Sequence, residues 1–246
     1  MCSPTARAQY SDSMGGSFNN PISSQLSSQI WGNMQMQMNL QMQRNLMLSA
    51  ARRRNTGRST APGPGSVKAQ TTFIPTGYAV IPARLAQELT RSEKDRAQLE
   101  VLFKECLKLY KEVTKKFGGS SGGQKNEDVA EALAYYVALN YYVYAQGDSS
   151  LASDVSPTQY VATIGTMRFC LSQLQQFQKM NDRQRQEIHE TLAILGSLPL
   201  LGFIDGQNKN NIDQQEQSRE LAKQNLGRLG LNPEQLVFTD NGLLVK

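Results

Sequence analysis

Histidine occurs once, at His189, and tryptophan once, at Trp31; there are three cysteines, and no run approaches the length of a membrane-spanning helix. Each scarcity excludes something. A zinc-protease helix needs a second histidine four residues on, and Ala193 stands there instead. Any Ser-His-Asp or Cys-His arrangement would have to use His189 as its base, and it lies in a polar stretch, 182–190, that reads as a wet helix face. Cys2, Cys106 and Cys170 are too few and too scattered for a disulfide framework or a zinc site. Cys106 and Cys170 fall in apolar helical patterns and read as small buried hydrophobes, with a bridge between them open if their helices are neighbours. A membrane span needs about 18 consecutive apolar residues. The best candidate, 192–204, is shorter and is interrupted by Gly196, Ser197, Pro199 and Gly202, so it reads as core.

Charge of one sign is also unevenly spread. The formal net charge is +5, from 26 basic and 21 acidic residues. Seven of the bases and only one acid precede Phe73, leaving 19 bases and 20 acids, a net of −1, in the rest. The basicity belongs to the leading segment, and the remainder has no phosphate-seeking field of its own. Arg52, Arg53, Arg54 and Arg58 would give weak, salt-sensitive attraction to nucleic acid or anionic lipid; a solvated linker is the simpler reading, and nucleic acid is not expected as a partner.

Residues 1–71 are rich in Gln, Met, Asn, Ser, Gly and Pro, which predicts a disordered tail ending in the Pro/Gly linker 61–66. Within it Met34, Met36, Met38, Leu40 and Met42 alternate with amides. The thioethers suit Cu(I), but low complexity suffices, and no metal or other cofactor is expected. Ala6-Arg7-Ala8 has the small-x-small form of a signal-peptidase site with no apolar stretch before it. If the true start lies upstream, 1–8 is a signal-peptide remnant and the protein is periplasmic or secreted; otherwise it is cytoplasmic.

Residues 72–246 read as one all-α, helical-bundle-like domain around a central hydrophobic helix, with a short hairpin at its C-terminus. An extended segment at 73–78 leads to a short helix over 82–89. A Thr90/Glu93 capping box then opens a helix to Phe117, with Leu99, Leu102, Phe103, Cys106, Tyr110 and Val113 on its apolar stripe. A third helix over about 127–146 is apolar or aromatic nearly all round from Ala130 to Ala145, broken chiefly by Glu131 and Asn140, so it is read as the core helix. Ser156-Pro157-Thr158-Gln159 is a capping box with proline at the first helical position. A fifth helix starts near Asn181, and Pro199 is expected to kink or end it. A sixth covers 212–229, and Asp240-Asn241-Gly242 turns a hairpin of 236–239 against 243–245.

No residue is singled out as catalytic. The carboxylates Glu127, Asp128 and Glu131, and the pair Glu216 and Glu220, read as solvated surface, the first group favouring a helix N-terminus. The glycines at 118–123 lack the lysine and preceding strand of a phosphate loop. Tyr136, Tyr141, Tyr144 and Asn140 are the candidates for a ligand pocket, against the plainer reading that they pack the core. This composition favours a non-enzymatic interaction or structural module. A small-molecule binder or enzyme with a Tyr/Asn-lined pocket, and weak anion binding by the tail, are the alternatives.

Phe73-Ile74-Pro75-Thr76-Gly77, Tyr141-Tyr142-Val143-Tyr144, Leu192-Ala193-Ile194-Leu195-Gly196 and Phe238-Thr239-Asp240-Asn241-Gly242-Leu243 occur in that order. Over about 72–245 the chain thereby resembles a family of bacterial proteins known only as a domain of unknown function. The resemblance implies export, with another envelope or extracellular protein as partner, and it brings no catalytic residues.

Overall fold

The computed structural model describes residues 71–117, 126–146 and 154–246. The tail with its arginines, methionines and linker, and the glycine loop at 118–123, lie outside them.

Among the described residues the elements are β1 (Thr72–Phe73), α1 (Ile81–Leu89), α2 (Glu93–Lys116), β2 (Glu127–Asp128), α3 (Val129–Ala145), α4 (Pro157–Ser172), the single turn α5 (Gln175–Gln178), α6 (Asp182–Asn208), α7 (Ile212–Arg228), a 3-10 turn (Pro233–Gln235), β3 (Leu236–Thr239) and β4 (Gly242–Val245). The all-α expectation holds, with the C-terminal hairpin in place.

α3 is the central helix. All of it except Leu139, Tyr142 and Tyr144 is buried, because its sequence offers no polar stripe to turn toward water. α6, α7 and α4 pack around it, α2 joins α6, and α1 lies on α2. Tyr160, Ile164, Met167 and Leu171, at helical spacing along α4, are all buried. Burying each such large side chain contributes about 1.5–3 kcal/mol. α6 is long and apolar enough by composition to cross a membrane, but most of its apolar window is buried in this core. Cys106 and Cys170 are both buried and are not bridged by a disulfide.

The capping boxes at Ser156/Gln159 and Asn181/Gln184 are complete, each side chain satisfying the other residue's amide. The first one shifts. Thr90 closes α1, its amide bonded to Ala86 O, and Ser92 caps α2 by accepting from the Asp95 amide. The third helix begins two residues later than expected, because Glu127 and Asp128 pair with Phe73 and Thr72 in a two-residue antiparallel ladder. The hairpin closes on Thr239 and Gly242, whose φ of 113° only glycine adopts readily; a side chain there would also strike Thr166 of α4.

Pro199 neither ends nor breaks α6, which runs nine residues beyond it. Proline lacks the N–H that would reach the carbonyl of Leu195, four residues back. The side chain of Asn225, on α7, supplies the missing donor: its Nδ2 donates to Leu195 O at 3.2 Å and to Asn140 Oδ1 at 2.9 Å. The helix continues because a neighbour repairs its ladder.

Candidate functional site

The face of α6 read as wet, 182–190, is where the structure concentrates its polar chemistry. Asp182, Gln186 and Glu190 recur every four residues, with Arg185 and His189 beside them, so all five lie on one face. That face grips the extended segment 72–81 through its main chain. Asp182 Oδ2 accepts from the Ile74 amide at 3.2 Å, and Arg185 Nη1 donates to Thr72 O at 2.9 Å. Gln186 accepts from the Thr76 amide and donates to Tyr78 O, both at 2.8 Å. Glu190 Oε2 accepts from the amides of Val80 and Ile81 at 2.8 and 2.7 Å. Val80, which precedes α1, has no side-chain cap of its own, so a carboxylate from α6 satisfies the first amides of α1 and complements its positive end.

Beneath this clamp lies His189, only 2% exposed. It was expected on a solvated surface; the segment 72–81 covers it instead. Phe73 meets its ring edge-on at 5.3 Å and Tyr110 at 5.0 Å. Its Nε2 is 3.1 Å from the Tyr110 hydroxyl, and its buried Nδ1 lies 3.5 Å from Glu127 Oε2, without hydrogen-bond geometry. Burial, aided by the charge of Lys111, lowers its proton affinity to a pKa of about 3, so it is neutral near pH 7. Glu127 is raised above the ordinary carboxylate value, chiefly by burial and further by Glu190, with Lys111 opposing at 3.9 Å.

The other acids of that group are not solvated either. Asp128 is 1% exposed, capping α3 by accepting from the Ala130 amide at 2.9 Å and pairing with Arg168 Nε at 2.8 Å. Glu131 is fully buried in the first turn. Glu216 and Glu220 are exposed, as expected.

Glu127, His189 and Tyr110 thus form a carboxylate–imidazole–phenol row. Its hydroxyl end is sealed: Tyr110 is 1% exposed and packs edge-on against Tyr135 at 4.9 Å. Glu127, with 18% of its side chain exposed, is the member that meets water. Lys111 joins this row to a surface trough of about 500 Å³, lined along α2 by Lys104, Leu107, Lys108, Lys111, Glu112 and Lys115 and on the far side by Ala79.

The four residues proposed as pocket-lining are divided. Asn140 and Tyr136 meet: Asn140 Nδ2 donates to Tyr136 O at 2.7 Å, and the Tyr136 hydroxyl donates to Asn225 O at 2.6 Å. They belong to the group that repairs α6 at Pro199. Tyr141 packs on Phe238 of the hairpin, and the Tyr144 hydroxyl donates to Glu234 Oε1 at 3.4 Å. None of the four lines the trough.

The clamp residues were passed over because polar side chains at helical spacing ordinarily mark a wet face. Two signals were available. Proline at the second position of a helix preceded by Val80, with no capping side chain, calls for an acceptor from elsewhere. Asp182, Gln186 and Glu190 also have no basic residue four positions on to satisfy them within the helix, whereas Arg183 and Glu187 do pair.

Fold and site define an all-α domain that fastens its own leading segment to one core helix through backbone recognition. The chain belongs to a family of unknown function, DUF6683, whose profile matches residues 2–246 and so takes in the tail as well as the helices. No curated protein and no solved structure matches it.

Proposed function

We propose that the protein is a non-enzymatic interaction module, exported to the cell envelope or medium, in which the helical domain is a fixed mount for residues 1–71. The observation that carries this is the clamp. Six main-chain groups of 72–81 are held by four side chains of α6, so whatever the tail contacts, its root is anchored to the core. Export is supported by the small-x-small sequence at Ala6-Arg7-Ala8. In cells that make the protein, the full chain should fractionate with the envelope or medium, and Gln186→Ala/Glu190→Ala should lower the share bound to its partner.

A second reading draws on Glu127. A carboxyl raised by burial beside a lysine, at the edge of a trough, is the pattern of a proton-transfer group. A catalysed reaction that Glu127→Gln abolishes, with thermal melting unchanged, would establish that reading and overturn the non-enzymatic one.

A further inference from the structure

The clamp has an outer side. While backbone groups face α6, the side chains of Ile74 and Tyr78 point to water, 55% and 66% exposed, on a segment that cannot retract them. Ala79, next to Tyr78, forms one wall of the lysine-lined trough. We infer that this trough, with Tyr78 at its edge, is the docking surface for an extended acidic segment of a partner protein; the inference rests on the interaction-module reading and names its partner class.

The lysines stand at intervals of four, three and four residues, which the helical rise spaces by about 6, 4.5 and 6 Å, some 16 Å in all. An extended peptide repeats the side chains of one face about every 6.6 Å, close to that spacing. Lys111 keeps Glu127, 18% exposed, at 3.9 Å, and Glu112 is the one acid in the lining. Lys104 and Lys108 pair with Glu100 at 2.7 Å and Glu105 at 3.7 Å, and at least a third of every side chain in these two pairs is exposed. Such pairs contribute about 0–1 kcal/mol, so incoming carboxylates can replace them at little cost. Leu107 and Ala79 give the trough an apolar lining, and Tyr78, the chain neighbour of Ala79, offers an exposed aromatic ring on a backbone that Gln186 already holds; a chain alternating acidic and apolar side chains can meet both. The protein's own tail is excluded as occupant by charge, since it holds seven bases and one acid before Phe73.

The test is fluorescence anisotropy of a labelled peptide of alternating Glu and Val titrated with the full chain at low salt. Binding is expected, weakening as salt rises past about 0.1 M. Lys108→Glu/Lys115→Glu should reduce affinity about tenfold or more, and Tyr78→Ala severalfold without altering the salt dependence. Lys223→Glu, an exposed reversal on α7, should change nothing. Absence of binding, an equal loss in Lys223→Glu, or tighter binding of inorganic polyphosphate than of the peptide would overturn the inference. Hydrogen exchange at amides 74, 76, 80 and 81 separates the two claims. Protected amides with no peptide binding sink the docking surface alone; unprotected amides sink the mount on which it rests.

Discussion

The repair of α6 at Pro199 can be tested quantitatively. Asn225 is 1% exposed, and its amide nitrogen serves two acceptors, Leu195 O and Asn140 Oδ1. Asn225→Ala leaves both in the interior without that donor. Each orphaned buried acceptor costs about 1–3 kcal/mol, about 2–6 kcal/mol for the two. This is offset in part because the substitution also removes Asn225 Oδ1, which is buried without a hydrogen-bond partner. A net loss of about 1–4 kcal/mol is expected, against the 5–15 kcal/mol typical of a domain. Pro199→Ala restores an N–H four residues after Leu195 and so supplies one of the two lost bonds from within the helix. Its gain in helix propensity is common to both backgrounds and cancels in a double-mutant cycle. The coupling left over is the repair itself, expected at roughly 1–2 kcal/mol in favour of the double variant. Urea unfolding of the four proteins followed by circular dichroism measures it. A loss under about 1 kcal/mol in Asn225→Ala, or no coupling to Pro199, would show that α6 crosses its proline by some other means.

Three further outcomes follow from packing and burial. A Cβ at Gly196 would lie 3.0 Å from the Tyr136 backbone and 3.0 Å from the Tyr135 ring, so Gly196→Ala should force α6 off α3 and cost about 1–3 kcal/mol by thermal melting. Val143 is fully buried and packs in a small cluster with Phe203 and Ala222, so Val143→Asp should abolish cooperative melting, and a soluble, cooperatively melting variant would show that α3 is not central. His189 protonates near 6.5 when unfolded but only near 3 when folded; the unfolded state takes up the extra proton, and stability should fall as pH drops from 6.5 toward 3. Urea midpoints should decline with acid more steeply in the wild type than in His189→Gln, with the raised Glu127 blunting both slopes, since its contribution is lost as pH rises.

What the sequence disclosed and what it hid divide along a physical line. Wherever apolar residues set the pattern, as along α3, α4 and the hairpin, the period alone identifies the element, because burying a side chain is a demand that any apolar neighbour can meet. The capping box at Ser156 was equally legible, since both its partners lie within three residues; at Asn181 only the helix start was read, though its box has the same spacing. The polar residues of the clamp pose a different problem. Glu190 bonds amides about 110 residues away and Gln186 a carbonyl 108 residues away, and the polar period of 182–190 by itself does not separate such an acceptor from one that faces water.

The helix end allowed for at Pro199 and the wet face expected at His189 were misread for the same reason. A proline within a helix costs least where the carbonyl four residues back finds another donor, and Asn225 on another helix supplies it here. A lone histidine is a surface residue only while nothing covers it, and Phe73 does. In both places the missing partner belongs to a segment that a local reading treats as peripheral: α7 is polar along most of its length, and 73–78 reads only as an extended lead-in to the first helix. The candidate site was therefore visible only as two unmet needs, an uncapped helix at Val80 and a row of acceptors on α6 without bases, and each turns out to satisfy the other.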